Sequence, residues 1–504
     1  MEMTRPGWGG TRQTGRPGRG DWPGWPPLAF LGLALLLRAP GFPAAVLDPD
    51  EGLYLVQAQA WLEGGWPYLA VWDMHPPGAP ALLVPALAMF GDPVVALRLA
   101  GVVAVATTAS LLHALARRLG AGPGTALAAG LIYAAYSAMP GGLATNTELL
   151  LAPFIALAAL LLLTEARRPA ATRAGAVFAA GLAAGMAVWI KQVAALEASA
   201  LWLTMAGCAL AAGRIGLWRL VGLAALFALG AGAPSLGVGA GYWVAGHGEA
   251  WWQANILAPL HYAGPGEEVA ELRRRLVGAV PALGPLVLAA LPAWRERAAR
   301  LLLPWLAGSA LAVTAPMKFY DHYLLILAPP LSLLAAFGLA ALVRRAVVPE
   351  LQGRGFGVLV ALAMTMPVGG MLLPRLAEGI GLRGEDPVRA TARAAAAALR
   401  PGEALFVANW HAATYALARV PPPTRLAFPA HLSGRDTQLA GIDTQAELLR
   451  VLALPPGVIV VDPGRWGPIR TEARAAIEAA LARDYVLATT IPDGPGPVEV
   501  WRHR

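Results

Sequence analysis

The chain has 504 residues, of which 57% are hydrophobic and only 14% charged, with a mean hydropathy of +0.54. Soluble globular chains carry about 25% charged residues, so this composition excludes a soluble enzyme and a disordered protein alike and describes a polytopic membrane protein. The net charge of +8 does not indicate nucleic acid, because most Lys and Arg lie between apolar runs, where basic residues set membrane orientation. A single cysteine, Cys208, excludes a disulfide scaffold and a cysteine-based metal cluster.

Residues 1–22 form a Gly-, Pro- and Arg-rich tail, expected to be disordered and cytoplasmic, with no cleavable signal peptide. A helix crossing the ~30 Å hydrocarbon layer needs about 20 mostly apolar residues. Spans are expected near 23–42, 94–116, 122–140, 148–164, 174–190, 195–213, 219–245, 277–293, 299–315, 323–343 and 355–375. The apolar run Ala79–Phe90 is too short to cross and reads as an interfacial helix. With the N-terminus inside, the cytoplasmic connections hold Arg117, Arg118, Arg167, Arg168, Arg173, Arg214, Arg219, Arg295, Arg297, Arg300, Arg344, Arg345 and Arg354. The first outer loop, 47–93, holds no Lys or Arg, as the positive-inside rule demands. Only the basic run Arg273–Arg275 falls outside.

After Glu385 no run could span. Helix-like stretches (Pro387–Leu399, Arg470–Arg483) alternate with β-branched runs (Gly457–Val461, Val498–Trp501). The fold class is therefore an all-α polytopic membrane protein of about eleven helices. Residues 23–380 form its membrane domain, and 385–504 a small extracytoplasmic α/β domain.

The first outer loop, LDPDEGLYLVQAQAWLEGGWPYLAVWDMHPPG, carries Asp48, Asp50, Glu51, Glu63, Asp73 and His75 with no cation of its own. Carboxylates this close repel one another and call for a cation, a shared proton or a substrate hydroxyl. A solvated loop enforcing orientation is the plain alternative. Four further outer corners carry polar groups: Asn146 with Glu148, Lys191 with Gln192, His261 with Tyr262, and Lys318, Asp321, His322 and Tyr323 in KFYDHY. Singly these are interfacial anchors. Jointly, they bring carboxylates, amines and imidazoles to one membrane face, which describes a site. The chemistry such a set favours is attack of a hydroxyl on a phosphate-activated carbon. Asp50 or Glu51 would act as general base, with Lys191, Lys318 and the run Arg273, Arg274 and Arg275 as candidates for the departing phosphate. Asp50, Glu51, Asp73 and His75 could instead hold a hard or borderline divalent metal ion, although their spacing matches no specific metal motif. No Walker loop and no strand-borne GxGxxG occurs, which argues against ATP or NAD as cofactor.

The Asp50-Glu51 pair, followed by Trp72-Asp73-Met74-His75-Pro76-Pro77, resembles the GT-C glycosyltransferases, and within them the protein O-mannosyltransferase and lipid A aminoarabinose transferase branch. Glu148, the stretch from Gly185 to Lys191, and Lys318 with His322-Tyr323-Leu324-Leu325 are weaker echoes in the same order. The resemblance implies an integral-membrane enzyme that takes a sugar from a polyprenyl-phosphate carrier. It would pass the sugar, with inversion, to a lipid, glycan or cell-envelope acceptor on the outer face of a bacterial plasma membrane. It implies Asp50 as base, Lys191, Lys318, His322 and Tyr323 toward the lipid phosphate, and Asp73, His75, Asn146, Glu148 and His261 toward substrate. Asp321 departs from the expected pattern and allows a purely structural Lys318–Asp321 pair. A transporter or flippase is the rival reading, but it calls for ionisable residues near mid-membrane. Here Arg38, Arg98 and Glu197 lie near outer ends.

Overall fold

The computed structural model describes residues 24–168, 172–213, 215–262, 269–377, 384–434, 439–493 and 496–504. The N-terminal tail and Arg214, both used in the orientation argument, lie outside the described residues. The first half of the chain runs through α1 (Trp25–Arg38), α2 (Pro49–Leu62), α3 (Gly78–Phe90), α4 (Pro93–Arg118), α5 (Pro123–Tyr136) and α6 (Thr147–Ala166). The membrane part continues through α7 (Ala174–Ile190), α8 (Ala194–Ala211), α9 (Leu217–Val244), α10 (Gly248–Trp252), α11 (Ala258–Tyr262), α12 (Val269–Ala290), α13 (Ala299–Thr314), α14 (Ala328–Ala346) and α15 (Gln352–Ala377). By length and composition, seven helical segments among the described residues can cross a membrane. Three apolar helices are shorter, α3, α7 and α13. At 13 residues, α3 spans about 20 Å, too little to cross.

Small residues set how closely the bundle packs. A Cβ on Gly181 of α7 would lie 2.3 Å from the Phe227 carbonyl of α9, and one on Gly230 of α9 would lie 2.6 Å from that of Phe178. Backbones approach this closely only where side chains are absent, the usual solution for helices packed in lipid. Two arginines near outer helix ends are fully buried. Arg38 donates to the Ser137 carbonyl at 3.0 Å and the Gly142 carbonyl at 2.8 Å. Arg98 donates to the Gly41 carbonyl at 2.9 Å and the Ala44 carbonyl at 3.1 Å. Buried guanidinium groups need such partners, and these tie the first loop to the bundle.

The C-terminal segment folds as α16 (Pro387–Ala398), β1 (Leu405–Val407), α17 (Ala413–Ala418), α18 (Pro429–Leu432), α19 (Thr444–Ala453), β2 (Val458–Val461), α20 (Thr471–Asp484), β3 (Tyr485–Asp493) and β4 (Gly496–His503). The sheet order is β1-β2-β4-β3, with β1 and β2 parallel and β4 antiparallel to both its neighbours. Every residue of β1 and β2 is buried, as β-branched and aromatic runs covered on both faces must be.

This α/β unit sits on the first outer loop. The Trp72 amide donates to the Arg425 carbonyl at 2.7 Å. Gln253 donates to the Leu439 carbonyl at 3.3 Å, and Arg389 pairs with Asp92 at 3.1 Å. At Gly52 of α2 a Cβ would lie 2.7 Å from the Ala413 amide nitrogen, so α17 rests directly on the α2 backbone. Gly52→Val is therefore expected to prise α17 from α2, at about 1–3 kcal/mol as for other overpacked positions. A lowered thermal midpoint and faster proteolysis within residues 384–434 would register it; an unchanged protein would show that the contact is slack.

Candidate active site

The sharp divergence within the first loop comes from helix phase. Asp48 caps α2, accepting from the Asp50 amide at 3.1 Å, and Asp50 and Glu51 follow within its first turn. Neighbours on a helix project about 100° apart, so the two acids face different surroundings. Glu51 is completely buried and ion-paired with Arg98. It also accepts from the amides of Thr145 and, at 3.0 Å, Leu47. That saturated carboxylate fixes the loop and does not line the cavity, which corrects its assignment as catalytic. Asp50 turns the other way. Among the described residues its carboxylate has no hydrogen-bond or ion-pair partner, and it faces a cavity of about 460 Å³.

The other two first-loop carboxylates that line the cavity are paired. Asp48 meets His322 Nδ1 at 3.3 Å, and Asp73 meets His75 Nδ1 at 3.1 Å. Burial alone would raise the Asp73 carboxyl and lower the His75 imidazole, but each charge outweighs the desolvation of the other. Asp73 is held below, and His75 above, its ordinary value. Asp48 likewise stays below its ordinary value despite burial, chiefly through His322. Asp50 is pushed up to about 6, first by burial and then by the Asp48 charge.

Opposite the loop stand the outer ends of α6, α7 and α14. Lys191, at the C-cap of α7, is ion-paired with Glu148 of α6 and lies 4.0 Å from the Tyr323 ring centroid. Lys191, His322 and Tyr323 line the cavity, while Glu148 stands behind Lys191. The backbone of His322 approaches that of Gly141 so closely that a Cβ there would lie 2.7 Å from the His322 nitrogen, and Gly141 adopts φ +76°, a turn suited to glycine. Asn146 is buried beside Asp48, whose carboxylate its side chain helps to hold charged.

Four sequence-derived assignments shift by small steps. Lys318 is buried behind Tyr262, 4.9 Å from its ring centroid. Among the described residues it makes no ion pair with Asp321, and Asp321 faces the cavity. His261 is exposed and away from the cavity, whereas its neighbour Tyr262 lines it. Arg273 and Arg274 are exposed, the latter bound to Glu271 at 2.7 Å. Arg275 turns inward instead, donating to the Lys318 carbonyl and lying 4.3 Å from the Tyr320 ring centroid. Among the described residues no three of His, Cys, Asp and Glu are grouped to hold a metal ion. Glu51 is turned onto Arg98 and Asp73 onto His75, so the four residues suggested as ligands form no common set. The α/β unit supplies two cavity residues that spacing could not reveal, Phe428 and His431.

A bundle of apolar helices carrying an acidic cavity at one end, roofed by a small α/β unit, has the architecture of a multi-pass membrane protein. Residues 74–236 match the family model described as dolichyl-phosphate-mannose-protein mannosyltransferase. No curated protein matches the chain by sequence. The fold is similar to ArnT from Cupriavidus metallidurans bound to undecaprenyl phosphate, with a TM-score of 0.67 at 17% identity over 94% of this chain and 97% of that one. Against the apo state of that protein the TM-score is 0.65. The arabinofuranosyltransferase AftD from Mycobacteria matches 94% of this chain and 41% of its own length, at 17% identity and a TM-score of 0.53. The chain thus shares the fold of these membrane proteins over 94% of its length, and residues 74–236 carry the likeness to the mannosyltransferase family.

The two acids of the pair are expected to separate on mutation. Glu51→Ala leaves the buried Arg98 charge unpaired and should cost roughly 3–5 kcal/mol of stability, seen as a large drop in thermal midpoint in detergent. Asp50→Ala, which removes no partner, should leave the midpoint within about one or two degrees or raise it. Equal destabilisation by both would mean that Asp50 is structural as well.

Proposed function

We propose that this enzyme moves a sugar from a polyprenyl-phosphate donor to a hydroxylated lipid, glycan or envelope acceptor at the outer face of a bacterial plasma membrane, with Asp50 as general base. The N-terminal tail is then cytoplasmic and the α/β unit extracytoplasmic. The observation that carries this reading is the pairing pattern within the first loop: Asp48 and Asp73 each have an imidazole partner, while the Asp50 carboxylate faces the cavity with no partner among the described residues.

In this mechanism the acceptor hydroxyl attacks the anomeric carbon while its proton passes to Asp50. The bond from that carbon to the phosphate oxygen breaks, and its electron pair leaves on the phosphate. Attack opposite the leaving group inverts the anomeric configuration. Lys191, fixed between Glu148 and the Tyr323 ring, is placed to receive the phosphate. Positioned cations of this kind are most effective where charge develops. Lys318 and Arg275 add positive potential from behind Tyr262 and Tyr320. The Asp73–His75 pair offers a charged wall for sugar hydroxyls.

Asp50→Asn is nearly isosteric and should lower transfer by about 10²–10⁴-fold, the usual contribution of a general base, while donor binding survives. Mass spectrometry of lipids that co-purify with the variant should then reveal a polyprenyl-phosphate sugar, where the wild type carries bare polyprenyl phosphate. The same donor retained on both proteins would favour a carrier; near-normal turnover would remove Asp50 from the mechanism.

A base acts deprotonated, so a carboxyl raised to about 6 predicts transfer that falls about tenfold per pH unit below 6 and levels off above it. Asp48→Asn keeps a competent helix cap but removes the neighbouring negative charge, and should move the acid limb to lower pH. A limb that stays in place would show that Asp48 does not tune the base.

A further inference from the structure

The α/β unit contributes a side chain to the cavity that no step above uses. His431 of α18 is 4% exposed and lines the same cavity as Asp50 and Asp73. Among the described residues neither of its ring nitrogens makes a hydrogen bond, and Nδ1 is fully enclosed without a partner. Its orientation is held by rings alone, edge-to-face against Trp72 at 4.8 Å and Phe428 at 5.1 Å. Buried polar groups are seldom left unpaired in a finished protein, and an imidazole without hydrogen bonds at a cavity wall calls for a ligand. Burial holds the ring neutral, with its pKa lowered to about 4. With Nδ1 enclosed, a cavity ligand meets the ring only through Nε2, which in the neutral imidazole is a donor in one tautomer and an acceptor in the other; a hydroxyl can partner either, whereas an anion can only accept.

Placement separates this group from the leaving phosphate. Lys191, His322 and Tyr323 come from the ends of bundle helices, whereas Phe428 and His431 come from the α/β unit on the other side of the same cavity. We propose that His431 is a binding residue for the hydroxylated acceptor, lent to the membrane site by the α/β unit; this rests on the transfer reaction proposed above.

The test uses full-length wild type, His431→Phe and His431→Gln, with the polyprenyl-phosphate sugar recovered on the Asp50→Asn protein as donor. A cell-envelope extract serves as graded acceptor, and release of sugar to water without extract is followed in parallel. Phe keeps an aromatic ring between Trp72 and Phe428, and Gln keeps a donor and an acceptor. Losing one hydrogen bond of about 1.4 kcal/mol corresponds to about tenfold. The expected result for His431→Phe is a half-saturating extract concentration raised about tenfold or more, with the rate of sugar release to water unchanged. His431→Gln should recover most of the difference. A half-saturation equal to wild type overturns the proposal. So does a parallel loss of transfer and release, which would assign His431 to the donor or to folding. A wild type that neither transfers nor releases sugar from this donor would sink the transfer reading itself, and this assignment with it.

Discussion

The buried Arg98–Glu51 pair is the constraint on which the active end of the molecule is built. A guanidinium enclosed near the outer end of α4 is tolerable only with its donors satisfied, and Glu51 together with the Gly41 and Ala44 carbonyls satisfies them. The same carboxylate takes up the amides of Leu47 and Thr145, so one side chain joins the loop before α2, the bundle helix α4 and the turn leading to α6. With Glu51 committed inward, the helical pitch leaves Asp50 facing the cavity. The freedom of the one acid follows from the commitment of the other.

Electrostatics in the cavity follow from the same economy of partners. A loop without lysine or arginine gathers three acids around one space, and each could be stabilised only by groups from elsewhere. Two receive imidazoles, His322 from the outer end of the α14 segment and His75 from the loop itself. The third is left with burial and a like charge beside it, both of which favour its protonated form. Repulsion that would be a defect in a structural loop thus becomes the means of tuning a proton acceptor.

Much of this was legible from the sequence because its causes are local or periodic. Apolar run length marks the helices, and β-branched runs mark β2 and β4. The outer corners that meet at the cavity, around residues 48–50, 73–75, 191 and 322–323, were each visible as polar residues at the ends of apolar segments. In three places the sequence names helix neighbours together and the structure separates them. Glu51 parts from Asp50, His261 from Tyr262, and Arg273 and Arg274 from Arg275, each within one or two residues. A pattern of polar residues identifies the turn, but the phase of the helix decides which neighbour faces inward. That phase is set by packing partners such as Arg98, Lys318 and Tyr320, all distant in sequence. Phe428 and His431 were beyond reach for a different reason. Their role depends on how the α/β unit docks onto Trp72 and Gly52, and no local signal encodes that docking.

The docking also bears on how one architecture can serve different acceptors. The donor side of the cavity is built from helix ends whose positions are bound up with the bundle: Lys191 with Glu148, and His322 with Gly141 and Asp48. Changing those residues disturbs packing and charge pairing at once. The wall contributed by Phe428 and His431 rests on ring contacts and a few backbone hydrogen bonds, so its side chains can vary without disturbing the pairing of Lys191 or Asp50. Under the proposed transfer reaction, a site divided in this way would hold the leaving group and the base constant on the bundle side and leave acceptor recognition to the α/β side. Direct contact between α17 and the α2 backbone at Gly52 keeps the two walls in register, one residue beyond Glu51.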